Sequence, residues 1–92
     1  MTTVIKRGGK KEPFNPSKIK RSVRAAARDA GIPLFGRMAL VREVAKPVIR
    51  ACRRKESVKA SAIRTMVVKR LSRKSKEAAA AWKKYEKRHK KG

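Results

Sequence analysis

The sequence predicts an α+β domain in which an N-terminal β-hairpin packs on a bundle of about four α-helices. Three observations carry this expectation. Near the start of the chain two short extended runs flank Gly8-Gly9. From Asn15 onward, apolar side chains recur every three or four positions, the period of helices buried on one face. Breakers such as Gly31 and Pro47 divide the periodic stretches. With 92 residues the chain is long enough for one domain. We expect residues 1–74 to form its core and residues 75–92 a basic C-terminal helix and tail belonging to the same domain.

The hairpin is read over residues 4 to 14, because Gly8-Gly9 can take the positive φ angles of a tight two-residue turn. Pro13 has no amide hydrogen to give to a ladder, so the second strand must end there or lie at an edge. A helix follows with full punctuation. Asn15 suits the N-cap, Pro16 the first helical position, and Phe14 can staple against Ile19. Ile19, Val23, Ala26, Ala27 and Ala30 make its apolar face, and Gly31 stops it.

A second helix is expected from about Gly36 to Arg54, with Met38, Val41, Ala45, Val48, Ile49 and Cys52 as its buried stripe and Pro47 kinking or splitting it. A third, from about Ala60 to Arg73, buries Ile63, Met66, Val67 and Leu71 after an extended entry over Ser57 to Lys59. A fourth, from Ser75 to about Arg88, has helix-forming alanines at 78 to 81, then Trp82, Tyr85 and His89 at helical spacing. With only four aromatic residues among Trp, Tyr and Phe, the core must come mainly from Val, Ile, Leu and Met.

Charge is the dominant functional clue. Lys and Arg number 29 and Asp and Glu 6, a formal net charge of +23. A compact chain with so unbalanced a field repels itself and favours a polyanion as partner. Nucleic acid fits better than an anionic membrane, because the cations are spread along the chain rather than gathered opposite a Trp, Phe and Leu face. The expected phosphate contacts are Lys6, Arg7, Lys10 and Lys11 at the hairpin tip and Lys18, Lys20, Arg21 and Arg24 on the first helix. Arg73, Lys74, Lys76, Lys83, Lys84, Lys87, Arg88, Lys90 and Lys91 extend them along the tail.

The remaining chemistry is sparse. One cysteine, Cys52, leaves no internal disulfide and, on an apolar face, reads as a small buried hydrophobe. His89 lacks partners for a metal site, and the scattered carboxylates Glu12, Asp29, Glu43, Glu56, Glu77 and Glu86 offer no catalytic pair, so neither metal binding nor enzyme activity is expected. Trp82 and Tyr85 sit among lysines as base-stacking residues do, yet their spacing fits core packing better. No leader-like or membrane-spanning apolar run is visible, which points to the cytoplasm and, with the charge, to the nucleoid.

Val4, Lys6, Arg7, Gly9, Glu12, Phe14, Asn15, Lys18 and Ile19, in this order and spacing, resemble the opening motif of the ATP-cone, the nucleotide-sensing domain at the front of ribonucleotide reductases and in the repressor of their genes. The resemblance spans essentially the whole chain and implies the same hairpin-and-helices fold. It implies ATP or dATP as ligand, with Val4, Lys6, Arg7, Glu12, Asn15 and Lys18 around it, the cations on the triphosphate. The sequence departs from the family pattern in two places. Gly8 stands where the hairpin turn usually has Asp, and Ala60 or Ser61 followed by Arg64 stands where the third helix has a polar pair. No reductase-like module follows before Gly92, so a cone of this kind is expected to act outside a reductase chain.

Four functional readings follow. The first is a nucleoid- or chromatin-type binder, acting without sequence preference and on DNA more than RNA. The second is a free-standing ATP or dATP sensor whose self-association or DNA affinity changes with nucleotide. The third is a small basic component of a ribonucleoprotein particle such as the ribosome. A faint histone-like flavour at Arg28 to Ile32 and Val58 to Ile63 gives the fourth, which Pro47 opposes by interrupting the long helix it needs. All share one consequence: screening the self-repulsion should stabilise the fold. The thermal midpoint should rise between low and moderate salt, or on adding nucleic acid, and a midpoint indifferent to both would refute the charge argument.

Overall fold

The computed structural model describes residues 1–89, and Lys90 and Lys91, named above as phosphate contacts, lie outside them. The N-terminal strand β1 (Thr3–Ile5) pairs antiparallel with β2 (Lys11–Pro13), Val4 opposite Glu12. The connection is wider than a two-residue turn. Lys6 N–H donates to the Lys10 carbonyl at 2.7 Å and Gly9 N–H to the Lys6 carbonyl at 3.0 Å, so five residues, 6 to 10, close the loop. Gly8 and Gly9 both take the expected positive φ, 83° and 85°. With ψ near 6°, Gly8 has the geometry of the third residue of a type II turn, where a side chain would be strained.

Helix α1 (Pro16–Asp29) begins as its punctuation requires: the Asn15 side chain accepts from Ser17 N–H at 3.1 Å and Pro16 opens the first turn. It ends at Gly31 in a paired C-cap, Ile32 N–H to the Ala27 carbonyl and Gly31 N–H to that of Arg28, both 3.0 Å.

The second helix is three pieces: α2 (Leu34–Leu40), a wide π turn over 41–45, and α3 (Lys46–Arg53). Lys46 N–H reaches back five residues to the Val41 carbonyl. The wider turn sits just before Pro47, whose ring would otherwise press on the carbonyl four residues earlier. The extra residue also shifts the phase of the buried stripe. Leu40, Val44, Ala45, Val48, Ile49 and Cys52 are buried, whereas Met38, expected inside, is largely exposed and Val41 only half-buried.

Strand β3 (Ser57–Lys59), foreseen only as an extended entry, joins the sheet parallel to β1, Val4 opposite Val58, giving the order β2-β1-β3 with β1 central. Pro13 therefore lies on an edge strand. Thr2, buried, fixes the start of β1 by donating its hydroxyl toward the Cys52 carbonyl at 3.1 Å and the Lys55 carbonyl at 2.8 Å. Helix α4 (Ala60–Lys74) buries Val67 and Leu71, with Ile63 and Met66 half-buried. Helix α5 (Lys76–His89) starts at Ser75, whose hydroxyl oxygen accepts from Ala78 N–H at 3.1 Å, and packs on α1 and α4. Counting the segmented second helix once, the architecture is four helices beside a small sheet, α+β as the sequence predicts. Burial pushes the Cys52 thiol above its usual pKa, as suits an inert core group.

The two ends of the core meet at Trp82, 3% exposed, whose indole N–H donates to the buried Ser22 hydroxyl at 3.1 Å. That hydroxyl donates in turn to the Ile19 carbonyl at 2.9 Å. Beside Trp82, α5 offers the core only small side chains, the buried Ala78 and Ala79 and the half-buried Ala81. Trp82→Ala should therefore destabilise the fold by about 3–5 kcal/mol in denaturant titration. A loss below about 1 kcal/mol would mean that α5 is not held this way.

Candidate functional site

A cleft of about 580 Å³ opens between the hairpin and helices α1, α4 and α5. The hairpin lines it with Val4, Lys6, Arg7 and Glu12, followed by Phe14 and Asn15. Each helix adds side chains at the i, i+3, i+4 spacing that shares one face: Lys18, Arg21 and Ser22 from α1, Ala60, Ile63, Arg64 and Val67 from α4, and Trp82, Tyr85 and Glu86 from α5. All six residues singled out by the family motif, Val4, Lys6, Arg7, Glu12, Asn15 and Lys18, thus line one cleft, although they are spread over both strands, the loop between them and a helix start.

The electrostatics of the cleft are one-sided. Lys6 pairs with Glu12 across the hairpin at 3.4 Å, and Arg64 pairs with Glu86 between α4 and α5 at 3.7 Å. Arg7, Lys18 and Arg21 have no ion-pair partner among the described residues. The first turn of α1 contains no acidic residue, so the helix dipole adds positive potential near Asn15 and Lys18. The rest of the lining is apolar and aromatic, from half-buried Phe14, Ile63 and Tyr85 and the edges of the buried Val67 and Trp82. Such a cleft suits a ligand with a strongly anionic end and a flat, largely apolar body.

A smaller cleft, about 470 Å³, lies beside the first and shares Lys6, Arg7, Ala60 and Arg64 with it, adding Ile5, Gly9, Lys59 and Ser61. No carboxylate lines it among the described residues. Lys10, Lys11, Lys20 and Arg24 stand outside both clefts, as do the cations of α4's last turn and of α5. Sequence reasoning places Arg21 only among backbone contacts and gives Arg64 no ligand role. The signal for both lies in the helical spacing from Lys18 and Ala60, once those helices are known to face the hairpin.

The protein-family model of the ATP cone domain matches residues 2–91. The chain belongs to the ATP-cone family. ATP-cone domains bind ATP or dATP as allosteric effectors, and the motif positions of this cone converge on the cleft just described. No curated protein matches the chain significantly. Among the described residues the cone has no cluster of His, Cys, Asp and Glu able to hold a metal ion, and no helix long and apolar enough to cross a membrane.

Proposed function

We propose that this cone is a nucleotide-sensing regulatory module, not a catalyst, that takes ATP or dATP in the hairpin cleft. The observation that carries the reading is the convergence of Val4, Lys6, Arg7, Glu12, Asn15 and Lys18 on one cleft beside an aromatic wall. In this assignment Arg7, Lys18 and Arg21, which lack carboxylate partners, take the phosphates, and the base lies toward Trp82 and Tyr85. Glu12, tied to Lys6 at 3.4 Å, is placed to accept a hydrogen bond from a sugar hydroxyl or an exocyclic amine. Family membership favours this sensor reading over the nucleoid-binder reading that the charge alone suggested.

Calorimetry at physiological salt tests it. ATP or dATP should bind with one defined stoichiometry and more tightly than GTP, CTP or UTP, and Lys18→Ala should weaken binding by roughly 10- to 100-fold, the worth of one charge-assisted hydrogen bond. Equal, weak, salt-sensitive binding of every triphosphate would reject the assignment.

A second reading, contact with a nucleic-acid backbone outside the cleft, draws support from one feature. Lys83, Lys84, Lys87 and Arg88 are exposed on α5, and no ion pair engages any of them among the described residues. If they bind phosphates, replacing all four by Ala should lower the slope of log affinity against log salt by roughly 0.9 for each duplex-DNA phosphate that is no longer neutralised. An unchanged slope on DNA and on RNA would remove the reading.

A further inference from the structure

Leu34, Phe35 and Met38 are 62%, 86% and 55% exposed. They lie within one turn of α2, three large apolar side chains side by side on a chain whose surface is otherwise dominated by cations. This exposure is built into the backbone. Gly36 faces inward, where a Cβ would come within 2.5 Å of the Ile32 Cγ2, so α2 closes on Ile32 more tightly than any other residue at 36 would allow. Arg37 clamps the same turn, its Nε donating to the Ile32 carbonyl at 2.8 Å. Ile32 is itself anchored by the hydrogen bond its N–H donates to the Ala27 carbonyl near the end of α1. With Gly36 and Arg37 fixed inward, the neighbouring Leu34, Phe35 and Met38 are held out.

The surroundings specify what can cover them. No acidic residue occurs from Ala30 to Arg42. The carboxylates on either side are already engaged, Asp29 by Arg28 at 3.6 Å and Glu43 by Lys74 at 2.9 Å. Arg42, exposed and one turn beyond Met38, continues the stripe with a charge that no ion pair within 4.0 Å engages among the described residues, and exposed Lys46 follows. A second copy of the chain would bring a further +23 against this face, and like charges set opposite each other oppose association. A nucleic-acid backbone would satisfy Arg42 but leave the apolar side chains with nothing to bury against.

We propose that Leu34, Phe35 and Met38, flanked by Arg42 and Lys46, form a docking face for an acidic protein segment that carries Leu or Phe side chains among its carboxylates. Phe35 is the anchor, since a rigid aromatic loses little freedom on burial and buries much area. The flanking cations speed the encounter and select against basic partners. This face lies outside both clefts, so it stands or falls apart from the nucleotide reading.

The test is selection from a displayed library of random 16-residue peptides against the full chain at physiological salt. Affinities are then measured for the wild type, for Phe35→Ser/Met38→Ser, which keeps the net charge, and for Arg42→Glu. The selected peptides should combine Asp or Glu with Leu or Phe. The double variant should bind them at least about tenfold more weakly, as removal of a central aromatic anchor does. Arg42→Glu should mainly slow association, while ATP binding stays unchanged in both and the thermal midpoint stays unchanged in the charge-neutral double variant. Peptides whose affinity survives the double variant overturn the proposal, because charge alone then explains them. It is likewise overturned if the double variant's only deficit is binding to phosphatidylglycerol vesicles, or self-association seen by sedimentation.

Discussion

The docking of α5 on α1 through Trp82 is the interaction on which the site depends. The indole N–H, the Ser22 hydroxyl and the Ile19 carbonyl form a buried run of two hydrogen bonds, so the largest side chain of α5 enters the core with its polar atom satisfied. Its neighbours Ala78 and Ala79 are too small to hold so cationic a helix alone. Because Trp82 fixes the helix, Tyr85 and Glu86, three and four residues on, are set along the cleft. The same contact that closes the core therefore builds one wall of the candidate site.

The second constraint is electrical. Among the described residues there are four ion pairs, and two of them, Lys6 with Glu12 and Arg64 with Glu86, lie in the cleft. The chain folds by burying small aliphatic side chains such as Val23, Val44, Val48 and Val67 and by leaving its cations in water. Where several cations without ion-pair partners among the described residues line one cleft, as Arg7, Lys18 and Arg21 do, an anionic ligand relieves whatever repulsion they share. A ligand that binds only the folded chain stabilises it by mass action, so such a site and the stability of this small core are coupled.

Local signals in the sequence are legible, and distant partners are not. Asn15 and Pro16 fix the start of α1, and Gly31 its end, through atoms within a few residues, so their reading needs no knowledge of the fold. Strand β3 is three residues long and exists because Val58 finds Val4, fifty-four positions earlier; nothing in Ser57 to Lys59 announces that. The buried Thr2 hydroxyl bonds fail to show for the same reason. Met38 is misplaced by a different cause: the π turn before Pro47 adds a residue to the helical repeat, and a stripe counted backward from Ile49 and Cys52 slips out of phase. For the site, the family motif names the hairpin side, while Arg21, Arg64 and Glu86 can be assigned only after the helices are seen to converge.

Both candidate surfaces are joined by α1. Its first turn contributes Asn15 and Lys18 to the cleft, and the turn after its end carries Ile32, on which α2 and the apolar face are mounted; fourteen helical residues set them about 21 Å apart. A rigid helix by itself transmits nothing, because a ligand shifts a partner's affinity only if it binds two arrangements of the protein unequally. The cleft contains groups that could make such a difference. A phosphate drawn to Lys6 or Arg64 competes with Glu12 or Glu86, and both pairs are partly exposed, so each is weak enough to exchange. Exchange of Glu86 would alter a contact between α5 and α4 while Trp82 keeps α5 on α1, so a difference of this kind lies at the α4–α5 seam rather than along α1.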